Sequence, residues 1–286
     1  MEQASIVVLT HNRAGILAET LDAMLRQDFP ARYEIIVVND GSTDATKDVL
    51  QKYHKKMKVI NQGRQGPCKA RNNGIRAARF PMVVIMDDDC VPERDWLKKL
   101  VKGFDKPEVG MVSSFSLHGG TSTAFRKKVL DTIGAYDEDY FYYREDTDLV
   151  FRLLDAGYTT KLVRANFFHN HKIENPKSVA GMLKHLQERL LYHQNDVLLY
   201  KKHPLRAKKF LKVRWGFFID PLEDFNRATG RWRQGALALS SPRGISVIEN
   251  KTPLHTVAII AAGLCYAVLV KCIRLSASLR FKKLLL

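Results

Sequence analysis

Cysteine is scarce in this chain of 286 residues, with four in all, at positions 68, 90, 265 and 272. They form no CxxC pair and no regular framework, which excludes a disulfide scaffold, implies no metal role for them and predicts reduced thiols. Ahead of the first apolar run at Ser5 there is no charged leader, no long hydrophobic stretch and no small-residue cleavage site. The sequence therefore predicts a protein that stays in the cytoplasm. Acidic residues thin out toward the end: residues 170–286 carry 7 Asp/Glu against 21 Lys/Arg, whereas residues 1–169 carry 23 against 25. Almost all of the formal charge of +16 thus lies in the last two fifths, a basic surface suited to the phosphates of nucleic acid or of anionic lipid. Repeats and low-complexity tracts are missing too. A hydrophobic content of 45% at this length is enough for one large α/β domain and an appendage.

What is present alternates. "SIVVLT", "YEIIVVND" and "MKVINQ" are short runs rich in β-branched residues, separated by the helical patterns "ILAETLDAML" and "ATKDVLQKYH". "GPCKARNNGIRAA" then leads into "MVVIMDDD", followed by "ERDWLKKLVKGF" and "VGMVSSFS". Apolar strands interleaved with amphipathic helices predict an α/β fold with a mostly parallel sheet covered on both faces. Beyond residue 120, "GTSTAFRKKVLDTIG" reads as a loop and helix, "YFYYREDTDLVFRLLDAG" as a loop running into a helix closed by Gly157, and "TTKLVRANFFHNH" as one strand. Basic and apolar helical stretches follow, so the boundary falls within 172–180 and the expected domains are 1–175 and 176–286.

Ligands of open α/β sheets bind beyond the carboxyl ends of the strands, where Thr10, Asn39, Asp40 and Asp87 to Asp89 all fall. Three aspartates directly after a buried strand are costly unless a cation sits among them. Asp87 and Asp89 point the same way if strand geometry continues, and two such carboxylates with water and phosphate oxygens suit Mg²⁺ or Mn²⁺. In "VVNDGSTD", Asp40 at a strand end can accept hydrogen bonds from a base or ribose while Gly41 allows close approach; the same letters also make an ordinary turn.

Six motifs, "IVVLTHNR", "IIVVNDGSTD", "GPCKARNNGI", "IMDDDCVPERDWL", "GTSTAFRKKVLDTIGAYDE" and "REDTDLVFRLLDAGY", stand in the order and near the spacing of family 2 inverting glycosyltransferases. Over residues 5 to about 172 the chain resembles that family. The resemblance implies a GT-A fold and a nucleotide-sugar donor. It implies donor contacts from Thr10, Asn12, Asp40, Arg71 and Asp88, and a DxD motif, Asp87 and Asp89, that holds the divalent cation. Asp146 matches the family's general base; Glu145, Asp146 and Asp148 also read as charges complementing a helix N-terminus, the reading preferred for Asp148. In "HNH", His169 is the preferred match over His171 for a histidine near the metal. Cys90 stands where some relatives carry a further acid. Ala228 in "RATGRWRQG" stands where the processive synthases' QxxRW signature needs Gln, so addition of one or a few sugars is expected.

The tail allows several readings. "KKHPLRAKKFLKVRWGFF" mixes cations with large apolar residues, as an amphipathic element on anionic lipid would. Residues 254–270 are 17 uncharged residues, the lower limit for a bilayer span. A span would export Lys271, Arg274, Arg280, Lys282 and Lys283, against the positive-inside tendency. The preferred reading is an interfacial or re-entrant helix, or a face between copies in a homo-oligomer, with the protein at the cytoplasmic face of the cell membrane. The expected acceptor is a lipid-linked or surface glycan. A nucleic-acid-binding protein is the alternative that the basic tail suggests, but no aromatic stacking strip accompanies it.

Overall fold

A computed structural model describes residues 1–170, 178–228, 236–241, 244–249 and 252–286. The chain divides into two compact units, Met1–His171 and Lys172–Leu286.

The first unit is built on a sheet of seven strands: β1 (Ala4–Thr10), β2 (Tyr33–Asp40), β3 (Lys58–Gln62), β4 (Met82–Asp87), β6 (Val109–Ser113), β7 (Thr123–Arg126) and β8 (Thr159–Leu162). Their order is β3-β2-β1-β4-β7-β6-β8. β7 runs antiparallel to both its neighbours, and the other pairings are parallel. Flanking helices are α1 (Leu17–Leu25), α2 (Thr46–Gln51), α3 (Pro67–Ala77), α4 (Trp96–Lys102), α5 (Lys127–Ile133) and α6 (Glu145–Asp155). β5 (Cys90–Pro92) and β9 (Phe167–His169) form a separate antiparallel pair.

β1 and β4 are apolar on both faces because helices cover both sides, and all their residues but Leu9 and Asp87 are buried. α3 lies so close to the sheet that a Cβ on Gly74 would fall 2.3 Å from Val7 Cγ1, so only glycine permits this approach. The sheet order reverses around β1, the first strand and the place where an open sheet leaves a crevice. The carboxyl ends of β1, β2 and β4 deliver Thr10, Asp40 and Asp87 there.

Three local expectations change. "TAFR" is the strand β7 rather than loop: Thr123, Ala124 and Phe125 are buried between β4 and β6, whose backbone partners outweigh the segment's weak pattern. "TTKLVRANFFHNH" is two strands in different sheets, because β8 ends on β6 and β9 crosses to β5. Strand geometry stops at Asp87, and Asp88 and Asp89 form a turn before β5.

The second unit contains α7 (Val179–Leu191), α8 (Gln194–Lys202), α9 (Pro204–Leu211), the short pair β10 (Val213–Arg214) and β11 (Phe218–Ile219), α10 (Pro221–Ala228), the hairpin β12 (Ala236–Ser241) and β13 (Gly244–Glu249), and α11 (Pro253–Phe281). The amphipathic stretch at 201–218 is therefore no single helix: Lys212 turns left-handed after Leu211, and a hairpin follows. The uncharged stretch 254–270 is the first part of a 29-residue helix, capped by the Thr252 hydroxyl, which accepts from the His255 amide. On α11, Arg274 is fully buried and its guanidinium donates to Asp196 at 2.8 Å and to Asp224 Oδ2 at 2.8 Å. His193 bridges Asp196 and the Tyr266 hydroxyl, at 3.0 and 2.9 Å. His171 and residues 229–235 of the "RATGRWRQG" stretch lie outside the described residues.

Candidate active site

The crevice is organised by one guanidinium. Arg71, buried on α3, donates from Nη1 to Glu145 Oε1 at 3.1 Å, and its Nη2 lies 3.6 Å from Asp87 Oδ1. Its plane stacks over the Tyr136 ring at 5.2 Å. Arg71 thereby ties the acidic turn after β4 to the first turn of α6, which also carries Asp146. Asp87 is half-buried and its amide donates to Thr121 Oγ1 at 3.0 Å. Asp88 and Asp89 are buried and share Arg13, with Nε 3.5 Å from Asp88 Oδ1 and Nη2 3.8 Å from Asp89 Oδ2.

The β5–β9 ladder pairs Cys90 with His169 and carries the imidazole to the acidic turn. His169 Nδ1 is 3.9 Å from Asp89 Oδ1 and 3.2 Å from Cys90 Sγ. Donor atoms of Asp89, Cys90 and His169 all fall within 4.8 Å of one another. While no ion is bound, burial holds the Cys90 thiol far above its ordinary range and so protonated. Carboxylate oxygens and an imidazole remain, a hard to borderline donor set that fits Mg²⁺ or Mn²⁺. The acids also need a cation: burial raises Asp88 to about 7 even against Arg13, and desolvation raises Asp87 as well. His169 is raised by its bond to Asp89, and Glu145 to about 7 by burial and its neighbour Asp146.

These shifts fix a sign. A group whose folded-state value is raised contributes its full stability below its ordinary value and loses it as pH climbs through the raised one. Asp87, Asp88, Glu145 and His169 all act this way, so the metal-free protein is expected to melt at falling temperature from pH 5 to pH 8. Asp88→Asn should flatten that decline, and Mn²⁺ should reverse more of it at pH 8 than at pH 5; calorimetry at each pH reads both.

Asp146 sits half-buried in the first turn of α6. It follows Tyr143 and Arg144, both left-handed at φ 74° and 76°. Gly119, at φ 84°, faces it so closely that a Cβ there would lie 3.2 Å from Asp146 Cβ. Thr10 ends β1 with its hydroxyl buried beside Asp88, and the second oxygen of Glu145 is buried without a hydrogen-bond partner among the described residues. Both suit a crevice that receives a polar ligand.

Asp40 and Asn12 each hold neighbouring loops of the crevice. Asp40 is fully buried, and its carboxylate accepts from Gln62 Nε2, Arg64 Nη1 and the amides of Gln65 and Gly66, all at 2.8–2.9 Å. It secures the loop after β3, and a base reaching it has to displace the half-exposed Arg64. Asn12, left-handed at φ 54°, accepts through Oδ1 from the Thr43 amide at 2.8 Å and pins the turn after β2. The sequence reading missed Arg13 and gave Glu145 only a helix-dipole role. The cation in "THNR" directly after a strand end was the available signal for the first.

Residues 5–171 match the model of the family described as glycosyl transferase family 2. The chain belongs to glycosyl transferase family 2. This family 2 glycosyltransferase is 31% identical over 233 residues to a poly(ribitol-phosphate) beta-N-acetylglucosaminyltransferase, TarS, of Staphylococcus aureus, covering 79% of this chain and 39% of that protein. It is 29% identical over 130 residues to the glycosyltransferase AglE of Haloferax volcanii, 43% of each. The chain spans about half or less of the length of the curated relatives it matches. Among solved structures, a mannosyltransferase from Pyrobaculum calidifontis, in complex with GDP-Man and Mn²⁺, superposes with a TM-score of 0.59 at 19% identity, covering 96% of this chain and 87% of that one. TarS residues 1–349 with UDP give 0.53 at 16% identity, covering 87% and 97%. At these identities the likeness is one of fold, and the fold is GT-A.

Proposed function

We propose that this glycosyltransferase moves one or a few sugars from a nucleoside-diphosphate donor, with inversion, to a lipid-linked or cell-surface glycan acceptor at the cytoplasmic face of the cell membrane. The observation that carries the reading is the Arg71 bridge, which brings Asp87 and the Asp146 turn into one crevice at the strand ends. Asp87, Asp89 and His169 would hold Mg²⁺ or Mn²⁺. When bound, the ion neutralises the charge that develops on the departing diphosphate. Thr10 and Arg71 line the donor side of the crevice, and Asp88 holds Arg13 in place. Asp146 takes the proton of the acceptor hydroxyl as it attacks from the side opposite the leaving group. Manganese on the mannosyltransferase neighbour supports the choice of ion. Addition of few sugars rests on Ala228, at the place of the synthases' Gln.

A screen of donor hydrolysis over uridine-, guanosine- and thymidine-diphosphate sugars, with Mn²⁺ and with chelator, tests this. One donor should be turned over only with metal, and Asp89→Asn should lower that turnover by at least about 10²-fold in a protein that circular dichroism shows to be folded. Turnover that survives both chelation and Asp89→Asn would overturn the metal assignment.

A further inference from the structure

α11 divides into two sides of opposite character. One side, which includes Ile259, Gly263, Tyr266, Val270, Arg274 and Ser278, is buried within the second unit. The other carries Leu254, Val257, Leu264, Val268, Leu275 and Leu279 at helical spacing, from 77% exposed at Leu254 to 78% at Leu279. Over 25 residues this apolar stripe runs about 37 Å along the axis, and the charged Arg280 and Lys282 come exposed only at its end. By length and composition α11 is able to cross a membrane.

We infer that α11 instead lies flat on an anionic lipid surface, its exposed stripe in the acyl boundary and its other side kept on the protein. This deepens the membrane placement proposed above by naming the surface and the mode. A spanning helix meets lipid or another spanning segment on every side. α11 cannot do so while Arg274 is paired inside the unit to Asp196 of α8 and Asp224 of α10, with Lys271 3.1 Å from Asp224. Crossing would strip those pairs apart or carry both aspartates into hydrocarbon. One exposed apolar side beside a charged body is the arrangement of an interfacial helix, whose apolar face sinks about 5–10 Å. Charge selects the occupant. Residues 172–286 hold 21 Lys/Arg against 7 Asp/Glu, which repels a second copy of this unit and attracts anionic headgroups.

The protein carries its own probes. Cys265 and Cys272 are exposed on this side, whereas Cys68 and Cys90 are buried. One heptad apart, they point within about 20° of each other and lie about 10 Å apart along the axis. Full-length Cys265→Ser and Cys272→Ser, each labelled at the remaining exposed thiol with an environment-sensitive fluorophore, are mixed with vesicles of phosphatidylglycerol and phosphatidylcholine. Lipids bearing quenchers at known depths then locate the label. Both labels should shift to the blue on anionic vesicles, weaken in binding as salt rises, and report one depth. Val268→Asp, between them, should lower vesicle binding at least tenfold while donor hydrolysis in solution stays unchanged. Depths that differ by about 10 Å would show a span, and a label buried without vesicles at doubled mass would show a second copy; either overturns the inference, as does no shift on anionic vesicles. Failure of the transferase reading would appear in donor turnover and leave the depth measurement untouched.

Discussion

Asp146→Asn is expected to lower glycosyl transfer by about 10²–10⁴-fold, the usual worth of a positioned general base. The amide has the same shape and keeps the first turn of α6, so the loss should fall on kcat, with the donor KM and the melting temperature close to those of the unaltered enzyme. The geometry behind this is specific: a Cβ at Gly119 would crowd Asp146, and Glu145, one residue earlier, already spends an oxygen on Arg71. Glu145→Gln makes the control. It weakens the Arg71 bridge and should lower stability more than Asp146→Asn does, because Arg71 is left buried with a poorer partner. Equal kcat for Asp146→Asn and the unaltered enzyme, measured at saturating donor and acceptor, would remove Asp146 as the base.

Arg274→Met is expected to destabilise the second unit by about 3–5 kcal/mol, the cost of breaking a buried ion pair from one side. Asp196 and Asp224 are both fully buried, and Arg274 supplies donors to each. His193 keeps a bond to Asp196, and Lys271 stays 3.1 Å from Asp224, so the aspartates keep some support without the guanidinium between them. Urea unfolding followed by tryptophan fluorescence, to which Trp215 and Trp232 of the second unit contribute, reads the loss. Replacing the charged members together, Arg274→Met and Lys271→Met with Asp196→Asn and Asp224→Asn, should recover part of it, because no buried charge is then left without its partner. A single-variant loss below about 1 kcal/mol would show the network to be dispensable.

The strand and helix alternation of residues 5–113 was legible because β1, β2, β4 and β6 are largely buried and read as apolar runs, while the edge strand β3 is more exposed and mixed. β7 was not legible: two of its four residues, Thr123 and Arg126, are polar, and its strand state comes from β4 and β6 on either side. The break between β8 and β9 was hidden for a related reason, since β-branched and aromatic residues continue across it while their partners change sheets. In the site, residue types at strand ends pointed to the acidic turn, but the Arg71–Glu145 pair spans 74 positions and no local pattern announces it. The same holds for Asp40, whose donors lie 22–26 residues onward. Composition marked 254–270 as apolar. It had no access to Asp196, 78 positions from Arg274, which fixes one side of that helix to the protein.

The left-handed pair Tyr143–Arg144 sets a trade between endurance and speed. Side-chain-bearing residues held at positive φ cost on the order of 1–3 kcal/mol each, so glycine at either position would relieve tension and toughen the fold. It would also loosen the stalk on which Asp146 is presented. Selection for heat resistance in this chain should therefore find gains at 143 and 144 early, and each gain should slow the enzyme.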